Sequence, residues 1–176
     1  PYTIGHYLAG TSIPKVDANH DAFKAAKAAA QARIDALFAV KGGKTVDDIH
    51  RQLGNIMWEK VGMARNKAGL QTAVGEIQKL REEFWQNVRV SGDANNLNPE
   101  LEKAGRLADF LELGELMATD ALERNESCGG HFREEHQVTE GEGKGEAKRD
   151  DANFSYVAAW EFKGVGTTPE LHKEPL

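Results

Sequence analysis

The sequence predicts a mainly α-helical protein, a helical bundle followed by an extended, partly β C-terminal tail. Between residues 20 and 124, apolar residues recur at three- and four-residue steps, which is the period of amphipathic helices. After Asn125 this period stops, and charged and glycine-rich stretches replace it. Of the 176 residues, 40% are hydrophobic and 28% are charged, a balance that allows a buried core.

The first predicted helix spans about His20 to Val40. Its apolar face is formed by residues three or four apart, namely Phe23, Ala26, Ala30, Ile34, Leu37 and Phe38. Alanine is frequent here and has the highest helix propensity. Lys41-Gly42-Gly43 follows, and we expect the helix to end there, because glycine readily adopts the left-handed cap conformation.

A second and a third apolar stripe follow between Thr45 and Val90. Thr45 with Asp47 and Asp48 is typical of a helix start, with a capping hydroxyl and acids in the first turn. No proline interrupts this region, so one long helix bent near Gly62 is also compatible with the pattern. We favour a break at residues 63–67.

The last predicted helix begins at Asn98-Pro99-Glu100 and runs to about Arg124. A capping Asn, a Pro at the first helical position and a neighbouring acid form a strong start signal. Apolar residues cover much of its circumference, so we expect it to be the most buried helix. The preceding residues 91–98 are polar and are predicted to form a loop.

In the tail, residues 153–162 are richer in aromatics and are predicted to form a strand. Glu140 to Glu146 alternates glycine with charged residues, which predicts a flexible loop.

Composition excludes several functional classes. The net charge of −6 argues against a nucleic-acid-binding domain. A single cysteine, Cys128, excludes an intrachain disulfide framework. The sequence has no dinucleotide-binding glycine motif, no phosphate-binding loop, no nucleophile elbow and no His-Glu-x-x-His metal motif.

The densest polar cluster is residues 123–136, and it has three interpretations. Cys128, His131 and His136 could bind a metal, although a fourth ligand is missing unless Glu135 serves. Cys128 could instead be a nucleophile with His131 as its base, although so close a spacing rarely gives that geometry. The structural interpretation carries most weight: a helix end, a tight Gly-Gly turn and charged groups that fix the tail.

Four motifs in this order resemble the C-terminal domain of the flavoprotein subunit of succinate dehydrogenase and fumarate reductase. They are Met57–Asn66 (MWEKVGMARN), Leu80–Phe84 (LREEF), Glu126–Arg133 (ESCGGHFR) and Arg149–Phe154 (RDDANF). The third motif departs from the commoner family form at Cys128, where Arg is usual, and at Gly130, where Ala is usual. We interpret this departure as the mark of one branch. L-aspartate oxidase shares the domain and is the alternative family.

The resemblance implies a three-helix bundle of the spectrin-repeat kind. It implies a lead-in from a flavin domain at residues 1–18, the bundle at 19–125 and the tail at 126–176, with a flexible loop at 138–147. The longer subunit would bind FAD and interconvert succinate and fumarate by hydride transfer. The family's flavin and substrate residues lie upstream, so the resemblance implies no catalytic, cofactor-binding or metal-binding residue within 1–176 and an inactive isolated domain.

The implied partners are the flavin domain of the same chain and an iron–sulfur subunit, with a membrane anchor contacted only indirectly and no nucleic acid. The implied location is peripheral, on the cytoplasmic side of the bacterial inner membrane. A chain that begins at Pro1 and ends at Leu176 is accordingly expected to be a piece of a longer one.

Within the domain we predict a hydrogen-bonded network that holds the tail, because charge is concentrated beside the Gly-Gly turn. Its predicted members are Arg124, Glu126, Ser127, His131, Arg133, Arg149, Asp150 and Asp151.

Overall fold

The computed structural model describes residues 2–12, 17–164 and 166–176. Part of the predicted lead-in, namely residues 1 and 13–16, lies outside the described residues. The helices are α1 (Tyr2–Gly10), α2 (Asp21–Ala39), α3 (Val46–Lys60), α4 (Lys67–Asn87), α5 (Pro99–Glu123) and α6 (Asp151–Phe154). The strands are β1 (Lys44–Thr45), β2 (Val88–Arg89), β3 (Tyr156–Glu161) and β4 (Glu170–Pro175).

Helices α3, α4 and α5 form an up-down bundle around one hydrophobic core, so the mainly α prediction is confirmed. The core is formed by buried residues of all three helices, among them Ile49, Leu53, Leu70, Ile77, Phe84, Leu107 and Leu111. Helix α5 contributes the most buried positions. At one end of the bundle, β1 and β2 form a short parallel pair.

Side-chain caps start each bundle helix, at Thr45 and Asn98 as predicted and also at Asn66. The Thr45 hydroxyl accepts a hydrogen bond from the Asp48 amide at 3.1 Å. The Asn66 side chain accepts one from the Gly69 amide at 2.8 Å. The Asn98 side chain accepts from the amide of Leu101 at 3.1 Å. These oxygens satisfy amides that have no partner within the helix, so the break between α3 and α4 falls at residues 61–66.

Helix α2, which the sequence predicts at about His20 to Val40, does not pack along the bundle for most of its length. Residues 21–33 of α2 are all exposed, and Phe23 is 53% exposed. Only near its C-terminal end does α2 join the core, where Leu37 is 2% exposed. Over residues 21–33 the apolar stripe consists of one large side chain, Phe23, and the alanines Ala26 and Ala30, which would bury little apolar area each.

The tail crosses the end of the bundle and finishes in an antiparallel ribbon. Strands β3 and β4 pair from Tyr156 opposite Pro175 to Glu161 opposite Glu170. The indole of Trp160 donates a hydrogen bond to the Asp120 carboxylate of α5 at 2.7 Å, which attaches the ribbon to the bundle. In the part of the chain that is described, no helix combines the length and the apolar character that crossing a membrane requires.

Candidate functional site: an ionic network at the end of helix α5

The chain leaves α5 and folds into a tight turn at residues 128–131. Cys128 and His131 exchange backbone hydrogen bonds of 2.8 and 3.0 Å. Gly129 has φ of +58°, a conformation that glycine adopts without steric cost. The turn brings Ser127 beside Arg133, where the Ser127 hydroxyl accepts from the Arg133 amide at 2.8 Å. Both residues are completely buried.

Arg133 caps the C-terminal end of α5. Its Nη1 donates to the carbonyls of Ala121 at 2.9 Å and Leu122 at 3.3 Å, which lie in the last turn of the helix. Its Nη2 donates to the Glu135 carboxylate at 2.7 Å. The last carbonyls of a helix carry partial negative charge, so a buried guanidinium is stabilised at this position.

Glu135 caps the N-terminal end of α4, as Arg133 caps the C-terminal end of α5. The same carboxylate oxygen that pairs with Arg133 accepts the Lys67 amide at 2.7 Å. Burial raises the pKa of Glu135, but hydrogen bonds from Arg133 and from backbone amides outweigh it and lower the pKa below its ordinary value. One ion pair therefore joins the negative end of α5 to the positive end of α4.

Glu126 is a buried carboxylate, with 1% exposure, whereas the side chain of Glu135 is 35% exposed. It accepts a hydrogen bond from Arg124 Nε at 2.7 Å and another from the Asp150 amide at 2.7 Å. Arg124 also donates to the carbonyl of Phe154 at 3.3 Å. These bonds hold the start of α6 against the end of α5, because a buried carboxylate needs several donors to offset its desolvation.

The imidazole of His131 closes the turn on α5. Its Nε2 lies 2.8 Å from the carbonyl oxygen of Arg124, so the neutral ring, protonated at Nε2, donates a hydrogen bond to that oxygen. Burial lowers the pKa of His131 below 6.5, and the charges of Arg65, Arg124 and Arg133 lower it further, against the Arg124 carbonyl, which raises it. His131 is therefore neutral in the folded protein near neutral pH.

Arg149 and Asp151 lie outside this network. Their side chains pair with each other at 2.7 Å and are more than half exposed. Asp150 contributes its backbone amide to Glu126, whereas its carboxylate accepts from Asn153 at 2.8 Å. The structure thus brings together five of the eight predicted side chains. The side chains of Arg149, Asp150 and Asp151 lie beside this network and do not bond to the other five.

The turn between α3 and α4 also belongs to the network, and the sequence-based prediction missed it. The Arg65 carbonyl accepts the Glu134 amide at 2.7 Å, and Arg65 Nη2 donates to the Gly130 carbonyl at 3.2 Å. The Asn66 amide group donates to the Glu134 carboxylate at 2.7 Å. Arg65-Asn66 and Glu134-Glu135 are separated by almost 70 residues, and no local pattern connects them.

The arrangement does not assemble the proposed metal site. His131 already uses Nε2 on a backbone carbonyl, and Cys128 and His136 do not converge with it. Over residues 2–12, 17–164 and 166–176, the one convergent group of metal-type side chains is Glu161, Glu170 and His172 on the exposed ribbon. Lys163 already lies there, 2.8 Å from Glu161 and 2.7 Å from Glu170.

The described residues do not fit a flavin either. A dinucleotide is bound where a parallel sheet meets a glycine-rich turn and a helix N-terminus. The described strands form two separate pairs, β1 with β2 and β3 with β4, and neither pair is followed by such a turn. Chemically, the network can hold irregular backbone and join helix ends.

Comparison with known proteins decides the family. The family model described as fumarate reductase flavoprotein C-term matches residues 50–176. The chain belongs to this family. The fumarate reductase flavoprotein subunit of Haemophilus influenzae is 29% identical over 150 residues, which are 85% of this chain and 23% of that protein.

Two further comparisons bear on the assignment. The Escherichia coli quinol fumarate reductase structure superposes with a TM-score of 0.75 and 28% identity, covering 92% of this chain and 26% of that one. An L-aspartate oxidase from Synechocystis is 27% identical over 47% of this chain. The fumarate reductase proteins therefore match more of the chain, which spans about a quarter of their length.

Proposed function

We propose that these residues form the helical C-terminal part of a flavoprotein subunit that interconverts succinate and fumarate by hydride transfer with FAD. The single observation that carries the proposal is the family match over residues 50–176, which includes the whole network. FAD and the dicarboxylate are bound outside this part, in agreement with the poor fit of its residues to a flavin.

In this proposal the domain has a structural role, and the network holds the tail on the bundle. Residues 19–125 are the bundle and residues 126–176 are the tail, with a loop at 138–147. Arg124, Glu126, Ser127, His131 and Arg133 hold the tail on α5, and the Asp150 amide joins the next segment to Glu126, while Arg149 and Asp151 form an exposed pair beside it. Charge-assisted hydrogen bonds are the strong ones, so they can fix a segment that has little regular structure.

The proposed partners are the flavin part of the same subunit and an iron–sulfur subunit, with any membrane anchor reached only indirectly. Exposed large apolar side chains support such contacts, since Trp58 is 84% and Met63 is 91% exposed at the end of α3. Helix α1 also exposes Tyr2 and Tyr7. The proposed location is peripheral, on the cytoplasmic side of the bacterial inner membrane.

The proposal is tested by comparing the 176-residue chain with the product of the complete reading frame that encodes it. We expect the longer protein to carry flavin absorbance and to reduce fumarate with a reduced viologen dye. The 176-residue chain should do neither when mixed with FAD. A longer protein that oxidises L-aspartate instead, or a 176-residue chain that retains flavin through gel filtration, would contradict it.

The network's role is tested with His131→Ala. Loss of the bond to the Arg124 carbonyl should speed hydrogen exchange in residues 126–150 while the amides of α4 keep their protection. His172→Ala is the matched control, because that imidazole pairs with Glu161 on the exposed ribbon. Unchanged exchange in the tail of the His131 variant would refute the proposed role.

A further inference from the structure

An open groove runs between α5 and the β3–β4 ribbon. Its volume is about 320 Å³, and its apolar floor is formed by Leu113, Leu116, Trp160 and Phe162. Leu113 is 52% and Phe162 is 68% exposed. Glu112 also lines the groove; it is half-buried and makes no ion pair with any residue that the structure describes.

Helix α2 carries an apolar stripe that is equally uncovered. Phe23, Ala26 and Ala30 are exposed, and they lie on the same face as Arg33 and Leu37 because they follow the three- and four-residue period. This face is docked at one end only. Leu37 is buried in the core, and Arg33 forms an ion pair with Asp109, a residue that also lines the groove.

The stripe of α2 and the groove beside α5 extend in the same direction from the Arg33–Asp109 contact. The C-terminal end of α2 and the N-terminal end of α5 lie at the same end of the bundle, because Lys41 bridges to Arg89 and Asp47 pairs with Lys103. From the Arg33–Asp109 contact, α2 extends away from that end towards lower residue numbers and α5 towards higher ones, so their chain directions are antiparallel. With an equal rise per residue, Ala30 falls opposite Glu112 and Ala26 falls opposite Leu116.

We propose that α2 is a hinged strap, which pivots about the Leu37 and Arg33 contacts and docks its stripe into the groove. The small side chains of Ala26 and Ala30 allow close approach to α5, and Ala29 beside them leaves room for Phe162. Arg33 stays paired with Asp109 during this motion, about one helical turn from Glu112, which has no cationic partner among the described residues. Another protein surface could then contact the groove only while α2 is in its open position, with the stripe exposed.

The experiment is disulfide trapping in a Cys128→Ser background, which removes the native thiol. We expect Ala26→Cys with Leu116→Cys to form an intramolecular disulfide, and about tenfold faster than the control pair, because docking raises the effective thiol concentration. The control is Ala28→Cys with Leu116→Cys, since Ala28 is equally exposed but lies on the opposite face of α2. The product is identified by gel mobility and mass as a cross-linked monomer.

A second pair of variants separates docking from chance collision. Ala30→Glu, introduced into the trapping pair, places a carboxylate against Glu112 in the closed state and should return cross-linking to the control rate. Ala28→Glu, introduced in the same way, should leave the rate unchanged. Equal rates for the two cysteine pairs, a disulfide-linked dimer as the main product, or insensitivity to Ala30→Glu would each overturn the proposal.

Discussion

At the scale of single residues, Arg133 and Glu135 explain why the tail needs so little regular structure. They are two positions apart in the chain, and together they satisfy the end of α5 and the start of α4. A buried guanidinium is costly to desolvate, and here the helix carbonyls and the partly exposed Glu135 carboxylate accept its hydrogen bonds. The pair therefore fixes where the tail crosses the bundle.

Arg133→Met should lower the free energy of unfolding by about 1–3 kcal/mol, because it leaves the carbonyls at the end of α5 without their side-chain donor and removes the partner of Glu135. Urea denaturation measures the change. Arg149→Met is the matched control, since its pair with Asp151 is exposed, and we expect little change there. A loss in the Arg133 variant no larger than in the control would contradict the role assigned to Arg133.

His131 should make stability depend on pH. Its pKa is below 6.5 in the folded protein, so the unfolded chain binds the proton more readily. The contribution is fully present above the unfolded-state pKa of 6.5, and it is lost as pH falls below that value and through the lower pKa of the folded state. We expect the stability difference between the wild type and His131→Gln to decrease from about pH 7.5 to about pH 5.5, because Gln can donate to the Arg124 carbonyl without titrating.

Denaturation midpoints at several pH values give this difference, and the imidazole proton signal gives the pKa directly. A pKa of His131 at or above 6.5, or a difference that does not vary with pH, would refute the prediction.

The network predicted from the sequence and the hydrogen bonds of the structure overlap only in part. Glu126, Ser127, His131 and Arg133 could be selected because charged and polar residues crowd around a Gly-Gly turn. Arg65 and Glu135 could not, because their roles depend on where the turn between α3 and α4 meets the tail, which is a tertiary contact. Arg149 and Asp151 have the same residue types but remain exposed.

At the scale of elements, local signals predicted where the long helices lie, α2 included, but not how α2 packs. Caps at Thr45, Asn66 and Asn98 act within three residues, so they are visible in the sequence. Whether an amphipathic face is covered depends on what packs against it, and the exposed stripe of α2 shows the difference. Periodicity predicts that a helix has an apolar face, and tertiary packing decides whether that face is buried.

Gly42 should be essential to the connection between α2 and β1. A Cβ at this position would overlap the backbone carbonyl of Asn87, so Gly42→Ala must displace the main chain of α4. We expect a destabilisation of about 1–3 kcal/mol. Gly105→Ala is the control, since open space surrounds that position within α5, and it should stabilise the protein by about 0.5–1 kcal/mol.

Thermal unfolding of the two variants measures both effects. If Gly42→Ala unfolds at the wild-type temperature, the close approach to Asn87 is not a constraint on the fold.

At the scale of the whole molecule, stability is concentrated in α3, α4, α5 and the network, and it decreases towards the N-terminal end. The core includes residues of all three bundle helices, whereas Tyr2–Gly10 is exposed at every position. The ribbon is attached to α5 through the bond from Trp160 to Asp120 and the ion pair between Lys173 and Glu123. Such a gradient suits a domain whose N-terminal helices contact other parts of a longer subunit, as proposed above.

This gradient predicts different outcomes for two deletions. Removing residues 1–12 should change the free energy of unfolding by less than about 0.5 kcal/mol, because α1 buries no apolar area against the rest of the described chain. Removing residues 1–40 should cost about 1.5–3 kcal/mol or more, since it uncovers the core around Leu37 and removes the partner of Asp109. Urea denaturation of the three proteins gives both values. Equal losses for the two deletions would mean that α1 is packed on the bundle, and no loss for the longer one would mean that α2 is not anchored by Leu37.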